Sequence, residues 1–397
     1  GPEEQYGYFP SGAFAWQLAE EDFMGDAFST LKLRLGAGIT GNQSGLGYGN
    51  FIQRRQYNAS GFDSGGVLNG GNPPGAGLVA FANPNLKWEE TLSFNIGLDF
   101  GFAEDRFSGS IDLYRKETTD LLIFRDAAQP SPQPFFFENL DAVVLNEGIE
   151  LSLAYDILDS EDFQWGLSGN VAYNYNELQD FDGFINAGTI YGQGLTGAFG
   201  QRLAGGRSLF SYYLREFGGY DEEGQPIGDI QQFVGKDALP DYNAGLSTNF
   251  RYKDFDFSAY FAGQFKFHVY NNTRNAFFTA GSLNSQRNVN QATLDDIRAG
   301  ESISAAAPVS TRFLEPGDFV RLQNASIGYN VPLSGEGVLN SLRLSVTGQN
   351  LWLITNYSGL DPEINVEGDL NNLPTAGIDW TAYPRPTTIT FGINAQF

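Results

Sequence analysis

The sequence predicts an all-β fold, an antiparallel transmembrane β-barrel wall of about eleven strands with long extracellular loops and short periplasmic turns. Three observations predict it. Apolar and polar residues alternate with period two in segments about 10 residues long, which is the length and pattern of a strand that crosses a bilayer greasy outward and polar toward a watery lumen. The connections between these segments are short and long in turn. No run of 18 apolar residues exists to make a membrane helix, and average hydropathy is no objection to a barrel, because alternation keeps it low.

The strands are placed at 9–18, 30–40, 91–101, 106–116, 147–156, 163–174, 243–252, 255–268, 318–330, 341–351 and 387–397. Leu31, Leu33, Leu35, Ala37 and Ile39 share one face of the second. Leu92, Phe94, Ile96, Leu98 and Phe100 oppose Ser93, Asn95, Gly97 and Asp99 in the third, and Ile149, Leu151, Leu153 and Tyr155 oppose Glu150, Ser152 and Asp156 in the fifth. The last segment is the clearest, with Ile389, Phe391, Ile393, Ala395 and Phe397 against Thr388, Thr390, Gly392, Asn394 and Gln396. A half-buried strand of a soluble protein alternates too, but is usually only about 5–6 residues long.

Polar turns lie at 102–105, 157–162, 253–254 and 331–340, and Gly/Asn/Pro-rich stretches at 41–90, 117–146, 175–242, 269–317 and 352–386. Outer-membrane barrels sort their loops by parity in this way, whereas a soluble sandwich has no reason to. Parity requires that Arg207–Phe217 stay within its long loop, as a small hairpin with Asp229–Val234. Bacterial barrels close with an even strand number, and an open edge in lipid leaves backbone groups unpaired at several kcal/mol each. Eleven strands are therefore expected to be part of a barrel, with further strands preceding Gly1, as a nicked loop, a split gene or a piece of a longer polypeptide would give.

Composition sets further bounds. Forty-nine Gly, 34 Phe and 19 Tyr beside one Met and one His favour turns and aromatic girdles over helical bundles. The 23 Lys plus Arg against 47 Asp plus Glu, a net −24, argue against nucleic acid as a partner. With no Cys there is neither a disulfide framework nor a thiolate metal site. With a single histidine, His268, a His-rich metal centre or a Ser/His hydrolase is hard to assemble. The chain is thus read as no enzyme and as having no cofactor.

Several segments were weighed as sites. Asp221, Glu223 and Asp229 lie in an acidic turn faintly like a calcium loop, since hard cations take several oxygens around a glycine turn, but a solvated hairpin fits it better. Gly45, Gly47 and Gly49 lack the strand-to-helix setting of a phosphate cradle. Trp88, after Asn83–Lys87, reads as an interfacial aromatic behind a Pro turn, with ligand contact as the alternative. Arg321 and Asp318 are expected to pair near the lumen wall. The better case for ligand contact is the last long loop, where Tyr357, Trp380 and Tyr383 stand beside Asn356, Asp361 and Asp379: sugars stack flat apolar faces on aromatics while their hydroxyls bond to Asn, Asp and Arg. Phe135–Phe137 cluster in another loop. Packing between loops is the competing reading for all of these.

FPSGAFAWQLAEEDF (9–23), LKLRLGAGITGNQ (31–43), NPNLKWEETLSFNIGLDFGFAEDRFSGSIDLYRKETTDLL (83–122), NEGIELSLAYDI (146–157), FLEPGDFVRLQNASIGYNVP (313–332) and LRLSVTGQNLWLITNYSGLDPEIN (342–365) closely resemble the TonB-dependent outer-membrane transporters of the SusC/RagA type. The blocks keep their order and cover nearly the whole chain. The resemblance implies that residues 1–397 are the C-terminal half of a 22-stranded barrel, of which eleven strands are half, and that a plug and the first strands belong to an N-terminal half. It further implies import of an oligomeric nutrient, a glycan before a peptide, with a SusD-like lipoprotein lid and the TonB complex as partners. A passive porin or a surface scaffold barrel are the alternatives.

Overall fold

The computed structural model describes residues 6–44, 54–57, 76–80, 83, 85–126, 135–192, 195, 197–333, 338–364 and 375–397. Its main sheet has eleven strands hydrogen-bonded in chain order. They are β1 (Ser11–Gln17), β2 (Thr30–Asn42), β3 (Glu89–Phe102), β4 (Phe107–Thr119), β5 (Val143–Asp159) and β6 (Phe163–Gln179), followed by β7 (Tyr242–Tyr252), β8 (Phe255–Phe265), β9 (Phe319–Asn330), β10 (Ser341–Thr355) and β11 (Thr388–Gln396). Every neighbouring pair is antiparallel. All eleven expected strands are present. Among the described residues β1 pairs only with β2 and β11 only with β10, so the sheet stays open.

The alternation sets the two faces. Phe94, Ile96, Ile111, Leu113, Ile149, Leu153, Val171, Leu246, Ile327, Val346, Phe391 and Ile393 all project outward, 36–77 % exposed. A soluble protein rarely leaves so large a continuous apolar surface uncovered, whereas a lipid-facing wall must. Aromatics ring its turn end, where Phe107 meets Tyr155 at 6.1 Å and Phe255 stacks on Tyr329 at 4.4 Å. On β6, Trp165 at the turn end and Tyr173 near the loop end are separated by eight residues, about 27 Å of strand, close to the height of a barrel's apolar band once tilt is allowed for. No helix among the described residues is long and apolar enough to cross a membrane.

The inner face is polar and paired across strands. Arg34 on β2 holds Asp99 on β3 at 2.7 Å and reaches Asp112 on β4 at 2.8 Å. It crosses β3 at Gly97, where a Cβ would stand 2.6 Å from the guanidinium carbon, so glycine is what lets the pair form.

At the loop end β5 and β6 run further than alternation suggests, to Val143 and Gln179. Val144 and Leu145 point to opposite faces and both are buried, as is Leu178, because loops cover them with Leu140 and Ala142. A strand covered on both sides loses its period-two signature. In β9 the pairing shifts on both sides next to Gln323. This bulge turns Arg321 onto the inner face with Ala262, where uninterrupted alternation would have sent it outward.

The loops fold into a canopy. Phe184–Thr189, Phe199–Ala204, Ser211–Leu214 and Gln232–Asp237 form a four-stranded sheet. Ser211–Leu214 indeed stays in the loop, paired with Gln232–Asp237 much as parity required. His268–Asn271 pairs with Leu314–Pro316 of the same connection and, in parallel, with Ile378–Asp379 of the last one, tying two connections together. Ile190, Tyr212 and Leu214 of loop 180–241 join Tyr270, Phe313 and Ile378 of those two connections in one buried core.

Candidate functional site

The canopy rests on side-chain bonds between distant loop segments. The fully buried Tyr212 hydroxyl donates to the carbonyls of His268 at 2.9 Å and Gly377 at 2.7 Å. Arg312, 3 % exposed at its side chain, pairs with Glu301, whose side chain is wholly buried, at 2.7 Å and with Asp296 at 3.0 Å. Arg274 adds a second cation to Asp296 at 2.9 Å. Two helices carry Arg274 and Asp296: α1 (Asn272–Phe277), capped by the Asn271 side chain, and α2 (Gln291–Arg298), capped by Asn290. Rings of Phe217, Tyr220 and Phe313 surround the Arg312 guanidinium within 6 Å.

The last long loop distributes its ligand-contact candidates unequally. Tyr357 and Asp379 are both buried, and the Tyr357 hydroxyl donates to Asp379 Oδ2 at 2.7 Å while Thr273 donates to Oδ1 at 3.1 Å. Burial, helped by the Asp379 charge, pushes the Tyr357 phenol far above its ordinary range. Trp380 is half-buried and stacks between Tyr191 at 5.2 Å and Phe277 at 5.4 Å. Tyr383 stands alone at 94 % exposure. Of the four, Tyr383 therefore offers an open aromatic face to a ligand, while Trp380, stacked by two rings, offers only its edge.

Arg321 does not pair with Asp318, as the sequence suggested. It binds Asp361 at 2.6 Å and Glu363 at 3.2 Å, because the bulge aims it at loop 356–364, and Asp318 accepts instead from the Lys266 backbone N–H at 2.8 Å. In the acidic turn, Asp221 Oδ1 already accepts from the Gln225 N–H at 2.7 Å, and Glu223 and Asp229 are exposed. Among the described residues no three His, Cys, Asp or Glu side chains converge to hold a metal. His268 lies under the canopy, its imidazole pushed below its ordinary value by burial and by Lys236. Trp88 packs edge-on against Phe9 at 5.6 Å at the loop end of the wall. The side chains of Phe135 and Phe136, and residues Gly45, Gly47 and Gly49, lie outside the described residues.

A cavity of about 580 Å³ opens where loop 180–241 overhangs β4 to β7. Tyr114, Asn146, Asn174, Asn176 and Asn243 form its floor, and Ser208, Phe233, Lys236 and Asp237 its roof. Burial pushes the Asp237 carboxyl up to about 6, against a stabilising N–H from Leu239 and with the help of the Asp241 charge. Sequence reasoning missed this site, because single Asn residues on a polar face carry no signal of their own.

Comparison with known proteins places this geometry. The family described as TonB dependent receptor-like, beta-barrel matches residues 2–351. TonB-dependent receptor P3 of Formosa agariphila is 29 % identical over 99 % of this chain and 42 % of its own length. TonB-dependent receptor SusC of Bacteroides thetaiotaomicron is 30 % identical over 100 % of this chain and 40 % of its own. The chain spans 40–43 % of the length of the curated relatives it matches. Among solved structures, the RagAB peptide transporter superposes with a TM-score of 0.81 at 23 % identity, over 99 % of this chain and 44 % of that one, a likeness of fold.

Proposed function

This chain belongs to the TonB-dependent receptor-like β-barrel family, and on that premise we propose that it forms the C-terminal half of a 22-stranded outer-membrane transporter barrel. The transporter imports an oligomeric nutrient, a glycan in first place and a peptide in second. The observation that carries this reading is the wall itself: eleven strands in chain order, greasy outside and polar inside, with the outer edge of each end strand unpaired among the described residues. Unpaired backbone in hydrocarbon costs several kcal/mol per group, so the edges demand further strands to close the barrel.

In this reading a plug in the N-terminal half fills the lumen, and the TonB complex drives its displacement. A SusD-like lipoprotein covers the canopy, with exposed Tyr383 and half-buried Trp380 facing the ligand. The resemblance of the sequence blocks to the SusC/RagA type supports a glycan as the first cargo class, and the likeness of fold to the RagAB peptide transporter keeps a peptide as the second. The residues here do no covalent chemistry; they wall, bind and cover a path.

Uptake tests it. Cells carrying the whole transporter should accumulate a fluorescent oligosaccharide or peptide in the periplasm, and deletion of TonB should abolish accumulation. Uptake that persists without TonB would replace this reading by a passive porin, and no uptake of either class by a surface scaffold.

A further inference from the structure

Five strands lay a row of neutral polar side chains across the inner wall at one height. Tyr114 on β4 reaches over β5 to donate its hydroxyl to Asn174 Oδ1 on β6 at 2.6 Å. It crosses at Gly148, where a Cβ would sit 2.8 Å from the phenol oxygen. Beside it, Asn176 Nδ2 donates to Asn146 Oδ1 at 2.8 Å, and Asn176 Oδ1 accepts the Leu209 N–H of the loop at 2.9 Å. The row continues on β7 and β8, where Gln264 Nε2 donates to Asn243 Oδ1 at 3.0 Å. In each pair an amide oxygen is taken, and among the described residues the Nδ2 groups of Asn146, Asn174 and Asn243 carry no further hydrogen bond. Three amide donors are thus left over on the floor of the cavity. Its roof carries the carboxyls of Asp237 and Asp241, which accept, and the Phe233 ring, held by Arg207 at 4.9 Å.

Resting on the import reading, we propose that this cavity is a binding subsite on the lumen wall for a neutral oligosaccharide, with the Asn146, Asn174 and Asn243 amides as its donors. A sugar hydroxyl both accepts and donates, and only a site with donors on one side and acceptors on the other satisfies it without burying an unpaired polar group. The volume, about 580 Å³, suits a few sugar rings. A peptide would seek a free strand edge or pockets for alternate side chains. Here β4 to β7 are hydrogen-bonded on both edges and no backbone edge is open. Tyr114 and the asparagines of the floor are uncharged, and the charged part of the lining is mixed in sign, with Glu177, Asp237 and Asp241 against Arg207 and Lys236.

The test uses the whole transporter with its lipoprotein in detergent, titrated with a panel of neutral glucan, fructan, mannan and xylan hexasaccharides and with a mixture of uncharged hexapeptides. At least one hexasaccharide should bind, and Asn174→Leu and Asn243→Leu should each weaken it tenfold or more. Asn170→Leu, the same change on the same face of β6 but outside the cavity, should leave binding within twofold. Tyr114→Phe, which changes no shape, should weaken binding by a smaller factor through a loosened Asn174 and guards against a misfolded Leu variant. Binding of peptides only, binding of nothing in the panel, or equal affinity in Asn174→Leu, Asn243→Leu and wild type would each overturn the subsite. TonB-dependent uptake measured on the same variants separates this from the import reading: uptake that survives with binding unmoved sinks only the subsite.

Discussion

The wall and the canopy are made of the same β-rich chain and are held together in opposite ways. Each wall strand is fixed by a continuous backbone ladder to its sequence neighbours, and its outward side chains meet only one another and the surroundings of the wall. The canopy has short strands of two to six residues and is fixed by side chains that join segments more than 50 residues apart, such as Tyr212 to His268 and Gly377. Local order therefore builds the wall and long-range polar contacts build the cover. A single side chain should matter far more in the second than in the first, and the following experiments put that contrast at risk.

The largest effect is expected at Glu301, whose buried carboxylate faces Arg312. Glu301→Ala leaves Arg312 with Asp296 alone and the Ala280 N–H without its acceptor at 3.1 Å. Removing one member of a buried pair costs about 3–5 kcal/mol. Limited proteolysis should cut residues 269–317 much faster in the variant while the wall strands stay as resistant as in the wild type. If wall and canopy loosen together, the two are one cooperative unit and the contrast fails.

The wall has its own sensitive direction, which is the face rather than the residue. Leu153, level with Gly169 and midway along β6, projects outward. Leu153→Arg in the closed barrel should cost about 2–4 kcal/mol, as an arginine at the bilayer midplane does. Asn170→Arg, one residue from that level on the inner face, should cost less because it faces the polar lumen rather than hydrocarbon. Reversible folding into lipid vesicles measures both, and equal costs would mean that the outer face does not meet hydrocarbon.

This asymmetry also explains what the sequence could tell. Period-two alternation is a local signal, so strands β1 to β11 and the parity of their connections could be read from residues such as Ile389, Phe391 and Ile393 alone. The signal ended where local order ended. Val144 and Leu145 are buried on opposite faces, so the tops of β5 and β6 look like loop. The Gln323 bulge reverses the phase of β9, so Arg321 was given the wrong partner. Arg312 and Glu301 stand eleven positions apart with no periodicity to connect them. The amide row escaped because its members come from five strands, and only the register, with Gly148 opposite Tyr114, brings them level.

Tyr212→Phe comes next. It removes one hydroxyl and takes its hydrogen bond from the His268 carbonyl, while the Gly377 carbonyl keeps the Tyr270 N–H at 2.7 Å. An unsatisfied buried group costs about 1–3 kcal/mol. Hydrogen exchange should rise at 211–214, 268–271 and 377–379 and stay unchanged in β2 to β4. A rise spread evenly over the molecule would show that the canopy is not separately stabilised.

The smallest effect is a pH slope confined to the cavity roof. Burial raises the Asp237 carboxyl from the usual 3.8 to about 6, so the folded loop holds a proton that the unfolded loop gives up more readily. Between these values the folded state binds more protons than the unfolded one, and stability falls as pH rises. The stabilisation is complete below about pH 4, declines up to about pH 6 and is level above it. Because Asp237 is only partly buried, solvent screening keeps the total change modest. Asp237→Asn should flatten the slope and make residues 206–241 as well protected at pH 7 as the wild type is at pH 4, in exchange rates corrected for the intrinsic effect of pH. The wall, where carboxylates such as Asp256 pair with arginine rather than being buried beside another acid, should show no such decline in either protein. A slope that survives in Asp237→Asn would show that Asp237 is not the titrating group, and a slope in the wall as large as that in the loop would remove the distinction between the two regions.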